Sequence, residues 1–434
     1  MRNLSFRALL GMALFIAGGC TSTVRLNEDI ADYDAEIARL ERELLEDPGS
    51  SEALRDLGAI YMRTDHPVEA NEYLQRAYSL GRADGKTLFF LGLANETLGR
   101  SQTALRLYES YPDVSGVYSD LMQGRYDWLV REAARQEMVA RLQDEAAIGQ
   151  TEIAPDVVAV FPLSYQGADA RYAPLGRGMA EMVMLDLQNV AQLRVVERVR
   201  LQALMNELQL AESGYIDSNS APRMGLLLQA GRVVSGAYNV FSGDNLRVDA
   251  SIVQTSDAEL HSLASQEGVL DGFYQLEKQL VFDLLDEFGI EITEAEREEI
   301  QLIPTQNLQA FLAYCRGLQA DDERDFEAAA GFFSQAVSLD PSFSIASARA
   351  EQAENVGAAG GTTEDLLLSA IEVDPFSAAS PLDMLSNRLG MISLGVQSGF
   401  VPGQDARNPV AEQGTEAVLP TDVLRDPPLP PGGN

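Results

Sequence analysis

The side chains that most often carry out chemistry are few in this sequence and far apart. His66 and His261 are the two histidines, and neither belongs to a serine–histidine–aspartate, cysteine–histidine or paired-carboxylate arrangement with a plausible base. The two cysteines, Cys20 and Cys315, are too few for a disulfide framework and have no metal-ligand spacing. The sequence therefore predicts that the protein is not an enzyme and binds no metal or other cofactor.

Three local motifs resemble chemical sites but have simpler structural interpretations. The segment Gly176-Arg177-Gly178 resembles a phosphate cradle before a helix. It lacks the third glycine and is followed by the acidic Glu181, so we interpret it as a helix-start turn. We interpret Glu197-Arg198 as an ion pair at a strand end rather than a catalytic pair. Cys315 lies among aromatic residues and is expected to be a packed core thiol.

The charge of the chain disfavours several classes of partner. Its 434 residues include 66 acidic and 32 basic side chains, a formal net charge of −34. Nucleic-acid binding requires clustered lysine and arginine, so no nucleic-acid partner is expected. A broad electrostatic contact with anionic lipid is disfavoured for the same reason. Hydrophobic residues make up 46% of the chain, which predicts a sizeable buried core.

The N-terminus has the composition of a targeting segment. Residues 1–19 contain two arginines followed by an apolar run that is too short to span a membrane permanently. Ala17-Gly18-Gly19 then leads directly into Cys20, which resembles a bacterial lipobox except that alanine replaces the usual leucine. The resemblance implies that Cys20 is lipidated and that 20–30 is an anchor linker. Thr21 after the cysteine implies sorting to the periplasmic side of the outer membrane.

Residues 31–145 are predicted to be wholly helical and to contain an internal repeat. The residues that recur 34 positions apart are Leu57-Gly58, Ala70 and Leu74 in the first copy, and Leu91-Gly92, Ala104 and Tyr108 in the second. The glycine and the small residue stand where two antiparallel helices must approach closely, and the large residue fills the gap. This pattern resembles the tetratricopeptide repeat, and a generic pair of helical hairpins is the alternative.

The helical period returns near the C-terminus. Gly317, Ala329 and Phe333 match the same pattern, so 304–376 is predicted to be a second tetratricopeptide-like region. The remaining residues, 377–434, are rich in proline and are expected to be disordered, because such a composition buries too little apolar surface to offset its ordering entropy.

The tetratricopeptide resemblance implies protein partners. In such repeats the first helix of each pair lines a concave groove, and mixed charge with one aromatic residue suits a bound peptide segment. The residues predicted to line this groove are Glu52, Arg55, Arg63, Lys86, Phe89 and Glu96. Two repeats fall short of the roughly three needed for stability. Packing on the central domain or on another copy, as a homo-oligomer, is therefore expected.

Residues 153–300 alternate element types and predict a mixed α/β domain. The predicted elements are strand 157–161, a helix from 175, strand 194–197, helix 198–211, helix 222–229, hairpin strands 233–241 and 246–254, strand 259–267 and helix 272–288. Strict alternation of apolar and polar residues in the second hairpin arm predicts one buried and one wet face. The predicted fold class is therefore α/β, with a central mixed α/β domain between all-α helical repeats.

Several separated motifs in this domain are similar to one family. They are Val-Ala-Val-Phe-Pro from 158, Leu-Gly-Arg-Gly-Met-Ala-Glu from 175, Val-Val-Glu-Arg from 195, Glu-Leu-Gln-Leu-Ala-Glu-Ser-Gly from 207 and Val-Val-Ser-Gly-Ala-Tyr from 233. They resemble the CsgG family, which includes the curli-secretion component and related periplasmic lipoproteins and whose fold resembles the N-terminal domain of TolB. The resemblance implies a non-enzymatic assembly or transport scaffold. It leaves open a subunit of a curli-type outer-membrane secretion channel or a regulator of a cell-wall synthase.

Overall fold

The computed structural model describes residues 21–81, 84–114, 116–145, 153–208, 220–241 and 244–360. The described residues belong to one compact unit. The predicted signal peptide, Cys20 and the predicted tail at 377–434 lie outside them. So do 361–376 and the end of the predicted helix 198–211.

The N-terminal part is helical, as predicted for 31–145. Its described helices are α1 (Thr21–Glu46), α2 (Ser51–Arg63), α3 (Pro67–Ser79), α4 (Gly85–Thr97), α5 (Ser101–Tyr108) and α6 (Val117–Gln143). Local sequence explains several helix starts. Ser50 and Asp84 cap α2 and α4 by accepting hydrogen bonds from backbone N–H groups of the first turn. Pro67 occupies the first turn of α3, where no intrahelical donor is needed.

A seven-stranded sheet forms the centre of the described chain. Its strands are β1 (Val157–Val160), β2 (Ser164–Tyr165), β3 (Arg194–Val195), β4 (Arg232–Phe241), β5 (Asn245–Gln254), β6 (Leu260–Ser262) and β7 (Gln266–Val269). The order is β3-β1-β4-β5-β6, with β2 beside β4 and β7 beside β5. β1 runs parallel to both of its neighbours, and β4 and β5 form the predicted antiparallel hairpin.

Eight further described helices surround and follow the sheet. They are α7 (Leu175–Gln188), α8 (Arg198–Glu207), α9 (Ala221–Leu228), α10 (Phe273–Glu287), α11 (Glu294–Ile300), α12 (Leu308–Asp322), α13 (Phe326–Leu339) and α14 (Ser344–Ala359). The mixed α/β centre with helical flanks agrees with the predicted fold class. The short strand β2 and the helix α11 were not predicted, although Thr293 and Glu296 form the capping box that marks the start of α11.

The predicted strand 259–267 is divided into two strands in the structure. β6 and β7 both pair with β5, and they are separated at 263–265. Within this interruption the Ser265 hydroxyl donates to the Asp249 carboxylate on β5. Ser251 and Val248 of β5 lie three positions apart, whereas their partners Ser262 and Gln266 lie four apart, so one extra residue interrupts the strand, and an apolar–polar pattern cannot reveal it.

Alternation along the central strands divides the core between the two faces of the sheet. Val158 and Val160 pack on one face with α7 and α10, whereas Ala159 and Phe161 pack on the other with α8, α9 and part of α6. The first face continues into α12–α14, because the ring of Phe273 stacks on that of Phe311 at 4.3 Å between centroids. The C-terminal helices therefore share the core of the α/β region.

Three helical hairpins show the predicted close approach at a glycine. The distances from an ideal Cβ to the nearest atom are 2.4 Å at Gly58 (to Leu74), 2.4 Å at Gly92 (to Tyr108) and 2.5 Å at Gly317 (to Phe333). Real Cβ atoms do not come this close, so each position admits only glycine unless the facing side chain shifts. The prediction that the repeated glycine faces the repeated large residue is confirmed.

The long helix α6 joins these parts. Its 27 residues extend over about 40 Å at 1.5 Å per residue. Tyr118 near its start packs on Phe89 of α4, with 5.7 Å between the ring centroids. Trp128 meets Phe326 of α13 at 6.3 Å, and Met138 belongs to the sheet core. Within the described residues, none of the helices combines the length and apolar character needed to cross a bilayer.

Candidate partner-binding surface and ionic junction

The predicted groove begins on α2, where two of its residues reach the surface. Glu52 is exposed. Arg55 is partly buried, and its guanidinium bonds Asp56 at 2.9 Å and Asp84 of the next hairpin at 2.7 Å. Lys86 Nζ reaches the same Asp56 carboxylate at 2.9 Å. These charges hold α2 against α4, so they stabilise the repeat as well as facing solvent.

The other four predicted groove residues are enclosed by the chain itself. They are Arg63, Lys86, Phe89 and Glu96, whose side chains are buried or nearly so. Phe89 is 0% exposed because Tyr118 at the start of α6 covers it. The enclosure contradicts the prediction that these four line an open groove. Sequence periodicity does not show that a later helix returns to cover this side of the repeats.

Glu96 has a specific structural partner. Its carboxylate accepts hydrogen bonds from the Arg125 guanidinium, the shortest at 2.6 Å, and from the Tyr108 hydroxyl at 2.7 Å. Arg125 also donates to the backbone carbonyl of Ala359 at the end of α14, at 3.2 Å. Glu96 therefore ties α4 to α6 and, through Arg125, to the C-terminal helices. Partner binding through Glu52 and Arg55 stays a prediction.

The glycines of the 176–178 motif are required by packing. An ideal Cβ at Gly176 would lie 2.0 Å from the carbonyl oxygen of Leu163, and one at Gly178 would lie 2.2 Å from the Sγ of Cys315. The segment opens α7, as the helix-start interpretation predicted. Cys315 is fully buried, and burial raises the pKa of its thiol far above the ordinary value. The prediction of a packed core thiol is confirmed.

Arg198 makes long-range ion pairs that the sequence interpretation missed. Its guanidinium donates to Asp321 at 2.9 Å, to Asp322, and approaches Glu181 at 3.3 Å. Arg198 also donates to the Leu318 carbonyl at 3.0 Å. Its partners lie on α7 and α12, and the separation from Asp321 is 123 residues. The interpretation of Glu197-Arg198 as a local ion pair is therefore wrong for Arg198.

Arg198 is the centre of a larger cluster that we call the ionic junction. Its members are Arg131 on α6, Arg177 and Glu181 on α7, Arg198 on α8, Asp321 and Asp322 on α12 and Arg349 on α14. Arg131 bonds Asp321 at 2.9 Å, and Arg177 bonds Asp322 at 3.1 Å. Arg349 donates to Glu181. The junction joins helices from three separate parts of the chain.

The two adjacent aspartates of the junction respond differently to burial. Burial raises the pKa of the Asp321 carboxyl, but Arg131 and Arg198 outweigh it and hold this pKa below its ordinary value. Burial also raises the pKa of Asp322, and there Arg198 and Arg177 offset it only in part, so the pKa stays above its ordinary value. Asp321 therefore carries more of the charge pairing. The adjacent pair Asp321-Asp322, a few residues after the apolar run 310–314, was the signal available in the sequence.

A second buried cluster lies between α7 and α10. Lys278 Nζ bonds Asp186 at 2.6 Å and lies 3.3 Å from Glu277. Burial, and then the neighbouring Asp186 carboxyl, raise the pKa of Glu277 well above its ordinary value. Glu277 Oε1 is buried without a hydrogen-bond partner among the described residues. One ammonium group thus faces two carboxyls, and Glu277 holds a proton more tightly than an exposed glutamate.

An open cleft of about 600 Å³ lies beside the 303–307 segment. It is lined by Ile303, Pro304, Thr305, Gln306, Asn307, Leu339, Asp340, Pro341 and Ser342. The Thr305 hydroxyl donates to Asp340 at 2.5 Å, and the Asn307 amide donates to the Leu339 carbonyl at 3.0 Å. These bonds join the 303–307 segment to the turn between α13 and α14. Within the described residues there is no group of three or more metal-ligating side chains.

Comparison with known proteins identifies the sheet region. Residues 155–242 match the family model described as curli production assembly/transport component CsgG. This segment contains β1 to β4 and the helices between them, so the resemblance inferred from the sequence motifs is confirmed there. The LpoB C-terminal domain from Salmonella enterica is one similar solved structure, at 16% identity and a TM-score of 0.22. The alignment covers 33% of this chain and 97% of that one. No curated protein matches the chain.

Proposed function

We propose that this protein is a lipoprotein anchored at the periplasmic side of the outer membrane, where it acts as a non-enzymatic scaffold in assembly or transport. The observation that carries the proposal is the match of 155–242 to a family described as a production assembly and transport component. The lipobox-like Ala17-Gly18-Gly19 before Cys20 supports the anchor. The acidic composition supports a body that stays off an anionic membrane surface.

The helical flanks would supply the surface for protein partners. Their glycine-to-large-residue contacts, repeated 34 positions apart at Gly58 and Gly92, support tetratricopeptide-like repeats. Since α6 covers Phe89, a partner would bind where α2 and α3 face solvent, near Glu52 and Arg55. The ionic junction would keep this surface in a constant position relative to the CsgG-like segment, which a scaffold requires.

A fractionation experiment tests the anchor. We expect Cys20→Ala to remove labelled fatty acid from the protein and to release it from the membrane fraction, because Cys20 is the proposed acyl acceptor. Cys315→Ala is the matched control, since the buried Cys315 thiol cannot be acylated in the folded protein. Membrane retention of the Cys20→Ala protein, with no fatty acid on the wild type, would refute the anchor.

A pull-down from detergent-solubilised membranes tests the scaffold role and separates the alternatives. A scaffold should retain several envelope proteins in amounts that depend on Glu52 and Arg55. Recovery of a secreted fibre subunit with a homo-oligomer of this chain would favour the secretion channel. Recovery of a cell-wall synthase would favour the regulator. Glu52→Lys reverses the exposed charge of this surface and leaves the ion pairs of Arg55 and Lys86 in place, and an unchanged set of partners would reject the repeat surface as the binding site.

A further inference from the structure

The sheet has an edge that no described strand covers. β6 and β7 pair with β5 on one side, and within the described residues neither has a strand on its other side. The two strands together extend over 260–269, which is about 30 Å of extended chain. An uncovered edge presents backbone N–H and C=O groups that can pair with another strand.

The hydrogen bonds decide which residues of β6 point outward. The N–H of Gln254 donates to the Glu259 carbonyl at 2.9 Å, and the N–H of Leu263 donates to the Ala250 carbonyl at 3.0 Å. Antiparallel pairing alternates, so residues 259, 261 and 263 direct their backbone groups toward β5. Leu260 and Ser262 therefore direct theirs away from the sheet.

The same alternation applies to β7. The N–H of Leu270 donates to the Asp244 carbonyl at 2.7 Å, and Gly268 pairs with Leu246. Gln266 and Gly268 therefore face β5, and the backbone groups of Glu267 and Val269 point outward. Each half of the edge thus offers two residues with backbone groups available to an added strand.

The exposed side chains along this edge define what kind of strand would fit. Leu260 is 48% exposed and Val269 is 59% exposed, and the register places both on the same face of the sheet. Leu260 continues the buried row of Val233 and Val253 to the edge. An aliphatic side chain on an added strand would extend that apolar row.

The charges along the edge are acidic. The side chains of Glu259 and Glu267 are 62% and 66% exposed. Arg247 approaches Glu267 at 3.4 Å but also binds Asp249 at 2.9 Å, so the acidic groups outnumber it. Edge pairing of two copies of this chain would bring like charges together, on proteins that each carry a net charge of −34. The charge pattern therefore favours a basic segment of a different protein.

We propose that the β6–β7 edge binds an extended segment of a partner protein as an added strand, and that this segment carries both aliphatic and basic side chains. This inference rests on the proposed scaffold role and names the chemistry of one partner. Main-chain hydrogen bonds would supply affinity, and the aliphatic and basic side chains would supply specificity.

A proline at 262 tests the main-chain part of the proposal. The N–H of Ser262 points away from β5, so Ser262→Pro removes an outward donor while keeping the β5 ladder. The probe is a fluorescein-labelled twelve-residue peptide of alternating valine and lysine, titrated against the full-length protein in detergent by anisotropy. We expect Ser262→Pro to weaken binding about tenfold and Ser262→Ala to leave it unchanged. Equal binding by both variants overturns added-strand pairing.

Charge reversal tests the side-chain part and does not depend on the folding of the proline variant. In the wild type the valine–lysine peptide should bind at least about tenfold more tightly than a valine–glutamate peptide. Glu259→Lys with Glu267→Lys should reverse this preference. An unchanged preference, or edge-dependent dimers of this chain in place of peptide binding, overturns the proposal. Failure at this edge leaves partner co-purification through the helical flanks intact, so the two failures are distinguishable.

Discussion

Within the ionic junction, we expect the neighbouring residues Asp321 and Asp322 to contribute differently to the stability of the protein. Asp321 accepts from Arg131 and Arg198, each at 2.9 Å, in a site where its side chain is 5% exposed. Asp321→Asn keeps the shape but removes the charge that both guanidinium groups face. Breaking a buried ion pair costs about 3–5 kcal/mol, and the retained amide oxygen places Asp321→Asn near about 3 kcal/mol.

Asp322→Asn should cost less than Asp321→Asn. Burial keeps the pKa of Asp322 above its ordinary value, so the folded protein already disfavours its charged form. We expect a loss of about 1 kcal/mol, mostly from poorer hydrogen bonds to Arg177 and Arg198. The difference of about 2 kcal/mol corresponds to roughly 2–3 °C in Tm for a protein of this size.

The losses of stability caused by Asp321→Asn and by Asp322→Asn should change in opposite directions with pH. The pKa of Asp321 is lowered on folding, so Asp321 contributes stability above its unfolded pKa of about 3.9, and this contribution is lost as the pH falls through the folded value. The pKa of Asp322 is raised on folding, so stability is lost as the pH rises from about 3.9 through its folded value. The destabilisation by Asp321→Asn should shrink in acid, whereas that by Asp322→Asn should grow.

Fluorescence of Trp128 provides the assay, because it is the one tryptophan of the chain. Trp128 packs against Phe326 and lies 4.4 Å from the guanidinium of Arg324, so its emission reports contact between α6 and the C-terminal helices. Thermal unfolding is followed by Trp128 emission at several values between about pH 3 and pH 7. It gives the Tm loss of each variant and the change of that loss with pH. Equal Tm losses with parallel pH profiles would refute the division of roles between the two aspartates.

Further predictions concern the second buried cluster and the hairpin glycines. Glu277→Gln should raise Tm at neutral pH by the equivalent of about 1–2 kcal/mol and change it little near pH 4. The pKa of Glu277 is raised on folding, so stability is lost as the pH rises above about 4.3, and glutamine removes this loss. A gain that is the same at both pH values would contradict this. Gly92→Ala should destabilise by about 1–3 kcal/mol, because its Cβ would lie 2.4 Å from Tyr108. Gly331→Ala, in the exposed interior of α13 with nothing within 4 Å, should stabilise by about 0.5–1 kcal/mol. Calorimetry compares the two, and equal effects would reject the close approach as the reason for Gly92.

Features that depend on neighbouring residues were predictable from the sequence. The alternation in β5 follows from a two-residue period, and the pairing of β4 with β5 follows from the short separation of the two strands in sequence. The contacts of Gly58 with Leu74 and of Gly92 with Tyr108 follow from a repeated spacing within single hairpins. The CsgG-like motifs, which run from 158 to 238, lie within the segment 155–242 that matches the family model, inside the predicted 153–300 domain. In each case a short stretch of chain contains all of the residues that make the interaction.

Tertiary structure alone decided which charges are buried and which surfaces stay open. Phe89 lies in a predicted groove, but Tyr118 covers it because α6 returns over the repeats. Arg198 finds Asp321 across 123 residues, and the division of 259–267 coincides with one extra residue in the pairing with β5. Local periodicity describes one face of one element at a time. The partner of a charged or apolar face is set by how whole elements pack, so a residue's burial and its pKa become known only once the chain has folded.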